Sequence, residues 1–337
     1  MRDILLDIQG LKTQFHLFAG TVKALDGIDL TLREQEILGI VGESGGGKSV
    51  AAYSLLRLID PPGTVSGKIY FEGQDLLQKS EAEMRKIRGR DISMVFQDPM
   101  TALNPLQTIQ EQMDEMLRLH TDKNPAERLE AILELLREVG ISNPEERLRA
   151  YPHQFSGGML QRVVIAIALA ARPKLIIADE PTTALDVTVQ AQILRLMEGV
   201  VRKHSAALIL ITHDLAVVAG ITERVAVMYC GRVVEEGTTD DVIHAPLHPY
   251  TKGLLNSIPR MDGKSDRLFQ IPGIVPSLLA LPPGCAFAPR CSEATDICTR
   301  EVPAMRYVAT RSGNAQRAAC HLYPAGEGAV KAGEEAC

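Results

Sequence analysis

Gly42, Glu43, Ser44, Gly45, Gly46, Gly47, Lys48 and Ser49 carry the strongest chemical signal in the chain, with Val50 just behind them. They fit the spacing Gly, four residues, Gly-Lys-Ser, which answers the needs of a triphosphate. Glycine lets a backbone approach an anion closely. The resulting nest of N–H groups, at the start of a helix, offers partial positive charge. Lys48 adds a full charge for the β- and γ-phosphates, and the Ser49 hydroxyl can ligate Mg²⁺. A glycine-rich surface turn with an incidental lysine is the bland alternative, and the flanks argue against it. Residues 37–41 are a short apolar run suited to a buried strand, and residues 50–59 have helical apolar spacing until Pro61 and Pro62 stop them.

A second constellation is acidic. Residues 175–180, Leu-Ile-Ile-Ala-Asp-Glu, form an apolar strand ending in two carboxylates. In a parallel sheet such strand ends converge where ligands bind. Asp179 is placed to hold Mg²⁺, directly or through water, and Glu180 to polarise a water that attacks the γ-phosphate. Before another apolar helix stands Phe155-Ser-Gly-Gly-Met159. There Ser156 can cap the helix while Gly157 and Gly158 present N–H groups at its positive end.

The elements that must position these groups follow from periodicity. Residues 4–33 alternate in places and read as antiparallel strands, and 68–72 and 91–96 as two more, the latter ending at Gln97. Residues 106–139 are polar with apolar residues at helical spacing, a helical insert broken by Asn143-Pro144 and Tyr151-Pro152. A helix is predicted over about 158–171, a strand over 175–178, a helix over 187–203, a strand over 208–212, and two strands near 224–235. Alternating strands and helices imply an α/β core with parallel strands. After about residue 245 the composition turns to Pro, Gly and Cys with little periodicity, and residues 325–337 are expected to be a disordered tail.

The chain of 337 residues has room for two domains, and its 23% charged and 45% hydrophobic residues are ordinary globular composition. A formal charge of −6 excludes generic attraction to nucleic acid. No apolar run approaches the roughly 20 residues of a membrane span, and the N-terminus shows no secretory signal. A cytosolic protein, able to dock on a membrane protein, is the expectation.

The phosphate loop, Phe155–Met159, the Asp179-Glu180-Pro181 corner, the Ala184-Leu-Asp186 turn and Thr212-His213-Asp214 occur in an order and spacing that resembles the ATP-binding-cassette (ABC) ATPases, over about residues 4–245. Phe155 and Met159 depart from the family's usual Leu and Gln. The resemblance implies an α/β fold: an ABC-type P-loop core of mixed sheet with helices and a helical subdomain at about 98–170. It implies ATP and Mg²⁺ as ligands and a head-to-tail pair of cassettes. Ser156, Gly157 and Gly158 would then meet the partner's nucleotide. Gln97 would sense Mg²⁺ and the attacking water, His213 would contact the γ-phosphate and orient Glu180, and Asp186 would bridge across the pair. No residue is assigned to adenine, with Phe15 and Phe18 as candidates.

The rest of the chain, 246–324, resembles the C-terminal module of oligopeptide/dipeptide importer ATPases. The matching stretches are His248-Pro-Tyr-Thr-Lys-Gly-Leu-Leu255, Ile271-Pro-Gly-Ile-Val-Pro-Ser277 and Gly284-Cys-Ala-Phe-Ala-Pro-Arg-Cys291, together with the run Gln97–Pro105. This implies a peripheral subunit on the cytoplasmic face of the inner or plasma membrane. Its partners would be a second ABC ATPase subunit (a sister or a copy of itself), two membrane permeases and, indirectly, an external substrate-binding protein. Of six cysteines, Cys285, Cys291, Cys298 and Cys320 fall together in this irregular module. By residue type they suit structural zinc, an iron–sulfur cluster, or no metal at all; the resemblance favours a 4Fe–4S cluster. Two other functions fit the cassette motifs: a soluble ATPase switch, and a redox-regulated subunit that does not itself drive transport.

Overall fold

The computed structural model describes residues 2–183, 185–258, 269–309 and 315–323. The expected tail, Cys337 and Ala184 lie outside them. Two compact units emerge: Met1–Leu6, Thr31–Ile37 and Phe71–Ile211 form the first, and Asp7–Leu30, Leu38–Tyr70 and Thr212–Cys337 the second. Among the described residues no helix is long and apolar enough to cross a membrane.

In the first unit the strands Ile92–Val95, Leu175–Asp179 and Ala207–Thr212 run parallel, with Val95 opposite Ala178 and Asp179 opposite Ile211. All their residues are buried, as expected of strands covered on both faces. The helix Gly157–Leu169 is apolar nearly all round and accordingly buried along most of its length.

The helical insert is not continuous. It is two helices, Ile109–His120 and Pro125–Glu138, each opened by a capping box: Thr108 with Glu111, and Asn124 with Glu127. Asn124-Pro125 restarts the helix because proline suits a first turn and its predecessor favours extended backbone. Ile109, Met113 and Leu117 supply one buried stripe and Ile132, Leu135 and Leu136 the other. Asp114 and Arg128 join the two helices through an ion pair of 2.6 Å.

In the second unit the strand Ile37–Val41 runs parallel to Arg224–Tyr229, with Val41 opposite Val227. Arg224–Tyr229 is antiparallel to Arg232–Thr238. The C-terminal module, irregular by sequence, adds two strands here. Ala315–Ala318 pairs with Arg232–Thr238, and Arg306–Ala309 pairs with Ala315–Ala318. Most of the long strands Ile4–Leu17, Gly20–Arg33 and Gly63–Phe71 also belongs to this unit, in a sheet with Ile4–Leu17 in the middle.

Candidate nucleotide site

The phosphate loop leaves the strand Ile37–Val41 and enters the helix Lys48–Leu55. Two glycines are required by the space they occupy. A Cβ on Gly42 would lie 2.1 Å from the Met228 carbonyl oxygen, and one on Gly47 would lie 2.5 Å from that of Ala24. Gly47 also has a φ of 95°, in the left-handed region, and occupies the N-cap position without a side-chain cap. The N-cap therefore puts no side chain of its own on the first N–H groups of the helix, which is the arrangement that receives an anion. Lys48 is 4% exposed, and its Nζ donates to the carbonyls of Gly42 at 2.8 Å and Glu43 at 3.0 Å. The loop thus curls around its own lysine. Ser49 and Val50 follow in the first turn, half-buried.

Glu43 is held from outside the loop. Its N–H donates to the Tyr250 hydroxyl at 2.7 Å. Its carboxylate accepts both arms of Arg290, Nη1 to Oε2 at 2.6 Å and Nη2 to Oε1 at 3.0 Å. Arg290 is 7% exposed, and its pKa is raised, first by this pairing with Glu43. Tyr229, Tyr250 and Phe287 pack ring on ring beside it, with centroids 4.6–5.4 Å apart. Burial pushes the Tyr229 hydroxyl up to about 12, so it stays protonated. His248 caps the helix Pro249–Asn256, its Nδ1 accepting the Tyr250 N–H at 3.0 Å. Burial depresses its pKa to about 3, which keeps the ring neutral. The buried Glu235 carboxylate accepts the N–H groups of Leu247 and His248 at 2.7 and 2.8 Å and the Gln316 amide at 2.6 Å. Sequence reasoning missed Arg290 and Tyr250 as residues supporting the loop, and Glu235 as the anchor of Leu247 and His248. Tyr250 and Arg290 fall within stretches that carry the family resemblance, and Glu235 falls in none of them.

In the first unit Asp179 ends its strand fully buried. Glu180 turns out of the strand with a φ of 45°, a left-handed conformation uncommon for a side-chain-bearing residue and frequent at functional sites. Its N–H donates to the Ile211 carbonyl at 2.9 Å, so the turn is fixed by the neighbouring strand. Its Oε2 accepts from the Thr183 hydroxyl at 2.8 Å and from the Gln97 amide at 3.4 Å. The structure therefore brings Gln97 and Glu180 together, and adds Thr183, which sequence reasoning missed.

Ser156 caps the helix Gly157–Leu169, its Oγ accepting the Met159 N–H at 3.4 Å, and Ser156 and Gly157 are exposed. A Cβ on Gly158 would stand 2.8 Å from Val189 Cγ1, so the first turn packs closely on the helix Val187–Lys203. Phe155 is buried with Arg147 over its ring at 5.8 Å, which makes this departure from the usual leucine an apolar anchor. Asp186 has a local task within its own unit, the N-cap of Val187–Lys203, with Oδ1 accepting from Thr188 and Val189 at 3.1 and 3.0 Å. In the second unit His213 is exposed just after the strand Ala207–Thr212, and Asp214 caps the helix behind it. Phe18 stands fully exposed between the strands Ile4–Leu17 and Gly20–Arg33, whereas Phe15 is half-buried.

Among the described residues the cysteines are free of disulfides, and no three His, Cys, Asp or Glu groups meet closely enough to hold a single metal ion. Cys285, Cys291, Cys298 and Cys320 nonetheless form a neighbourhood, since Cys320 would feel the charge of the other three and Cys285 that of Cys291 and Cys298. Burial raises Cys285 and Cys291 and takes Cys320 up to about 11. Against it work backbone N–H groups bonded to the sulfurs: Phe287 and Ala288 on Cys285, Glu293 on Cys291 and Leu322 on Cys320. Cys230 is buried in the core just after the strand Arg224–Tyr229 and would feel the charge of Cys285.

A strand, an anion-binding loop with a buried lysine at a helix start, and a carboxylate corner on parallel strands define a P-loop nucleotide-binding protein. Residues 25–183 match the ABC transporter family, and residues 234–298 match the C-terminal region of oligopeptide/dipeptide transporters. The oligopeptide transport ATP-binding protein OppD of Escherichia coli (strain K12) is 49% identical over 301 residues, 89% of each chain. The dipeptide transport ATP-binding protein DppD of Bacillus subtilis (strain 168) is 50% identical over 300 residues, 88% of this chain and 90% of that one. A dimeric, post-hydrolysis ATP-binding cassette, MJ0796 bound to ADP and Pi, superposes with a TM-score of 0.63 at 29% identity, covering 69% of this chain and 98% of the other. The chain belongs to the ABC transporter family, alongside the oligopeptide and dipeptide transport ATP-binding proteins.

Proposed function

We propose that this chain is the ATP-hydrolysing subunit of an importer of oligopeptides or dipeptides, with residues 4–245 as the cassette and 246–324 as a module special to that branch. The observation that carries this reading is the near 50% identity to oligopeptide and dipeptide transport ATP-binding proteins, sustained over nearly nine-tenths of the chain. The nest Gly42–Ser49 and Lys48 bind the phosphates, with Val50 at the head of the helix. By type, the Ser49 hydroxyl, the Gln97 amide oxygen and the Asp179 carboxylate are the hard oxygen donors that would suit Mg²⁺, and the ion would supply charge neutralisation. Glu180 polarises the attacking water, steadied by Thr183 and Gln97, and His213 contacts the γ-phosphate. Such chemistry needs positioning and charge neutralisation and no covalent intermediate.

A second cassette completes each site. Exposed Ser156 and Gly157 at a helix N-terminus, and the dimeric assembly of the similar cassette MJ0796, support this. Ser156, Gly157 and Gly158 then face the partner's nucleotide, and Asp186 lies at the junction. Two membrane permeases, contacted by the segment after Gln97, and an external substrate-binding protein complete the importer, which places this chain peripherally on the cytoplasmic face of the membrane. Affinity capture of the tagged chain from its native membranes should yield two permeases. Cells lacking the chain should lose uptake of labelled di- and oligopeptides. Capture without permeases, or undiminished uptake, would overturn the reading.

The four thiols of the module are proposed to hold a 4Fe–4S cluster. They fit in kind and number, they neighbour one another, and three of the sulfurs carry the backbone N–H bonds that tune such ligands. When bound, the cluster cross-links loops that share little apolar core. Protein purified without oxygen should be brown and contain iron and acid-labile sulfide, and Cys291→Ser should lose both. Colourless, iron-free protein would refute this.

A further inference from the structure

A carboxylate inside a phosphate loop opposes its ligand, because it places negative charge beside an incoming triphosphate. Glu43 is such a carboxylate, and it is secured at the backbone and the side chain alike. Its N–H is taken by the Tyr250 hydroxyl. Its carbonyl accepts from the Gly46 N–H at 3.1 Å and from Lys48 Nζ at 3.0 Å. Its carboxylate is forked by Arg290. Arg290 is itself immobilised. Its Nε donates to the Pro272 carbonyl at 3.1 Å and its Nη1 to the Tyr229 hydroxyl at 3.2 Å, and its guanidinium carbon stands 5.9 Å from the Phe287 ring centre. A planar, two-armed cation of this kind fixes a carboxylate in direction as well as charge, which a lysine does not do.

We infer that Arg290 is a positioning residue for the phosphate loop, neutralising and orienting Glu43 so that the loop receives ATP, and that the C-terminal module thereby sets ATP affinity. The inference rests on the assignment of this loop as the ATP site. Arg290 directly precedes Cys291 and follows Cys285 by five positions, and the short helical turn Ala288–Arg290 lies between these two thiols. Whatever orders or loosens the cysteine module therefore shifts the guanidinium on Glu43. ATP affinity becomes a readout of that module.

The test is ATP binding by the full chain, measured calorimetrically, with steady-state hydrolysis alongside. Arg290→Ala should raise the Kd for ATP about tenfold or more and raise KM in step, with kcat at saturating ATP within about twofold of the parent; a tenfold change corresponds to about 1.4 kcal/mol. Adding Glu43→Gln should restore most of the affinity, because the uncompensated carboxylate is then gone. A purely structural role for Arg290 would not be rescued this way. Arg290→Lys keeps the charge but not the fork. It should give a smaller rise, also relieved by Glu43→Gln, and it serves the same test if the alanine variant does not fold. An unchanged Kd in Arg290→Ala, or no rescue by Glu43→Gln, overturns the inference. Failure of the parent protein to bind ATP overturns the loop assignment instead.

Discussion

Glu180→Gln should bind ATP like the parent and turn it over about 10²- to 10⁴-fold more slowly, the range that general-base assistance contributes. The substitution keeps the size of the side chain and an oxygen that can accept the Thr183 hydroxyl, now 2.8 Å from Oε2. What it removes is the negative charge proposed to draw a proton from water. Glu180 also sits at a left-handed φ of 45°, with its N–H tied to the Ile211 carbonyl, so the backbone sets the position of the side chain rather than the reverse. With hydrolysis blocked and binding intact, ATP should trap two cassettes in the closed pair. Phosphate release in a single turnover, with gel filtration in ATP, measures both effects. Turnover at the parental rate would remove Glu180 from its assigned role.

Lys48→Ala should act on binding itself. Charge-assisted hydrogen bonds to phosphate contribute about 1.5–3 kcal/mol, so the Kd for ATP should rise about 10- to 100-fold. The buried ammonium also donates to the Gly42 and Glu43 carbonyls, and its loss leaves those loop oxygens without that donor. The loop therefore loses its ligand contact and its central tie together. Titration of a fluorescent ATP analogue, with thermal unfolding as the control for a folded chain, reads this directly. Parental affinity in a folded Lys48→Ala protein would refute the phosphate-loop assignment.

What could be read in advance was local. The nest, its strand and its helix lie within about twenty consecutive residues, and each is specified by neighbours in sequence. The same holds for Asp179, Glu180 and the capping serine at 156. The break at Asn124-Pro125 was also written locally, as an asparagine cap with Glu127 behind it, but it was masked by apolar spacing that runs on through both helices. Other features had no local trace. Arg306–Ala309 and Ala315–Ala318 are four residues each, too short to show a period, and exist because the neighbouring backbone supplies their hydrogen bonds. Tyr250 and Arg290 reach Glu43 across more than 200 residues of chain. No spacing rule reports a contact of that range. Asp186 shows the converse: its motif implies a place at the junction of two cassettes, and the same side chain also starts a helix in its own chain.

The strand Ala315–Ala318 also bears on what trimming the chain would do. By pairing with Arg232–Thr238 it shields a row of main-chain donors and acceptors from foreign strands. A protein cut short ahead of it would offer a sticky ledge to any passing extended peptide, including another copy of itself. Removing the strand Ala315–Ala318 should therefore show first as loss of solubility, read by the fraction of protein that stays in the supernatant.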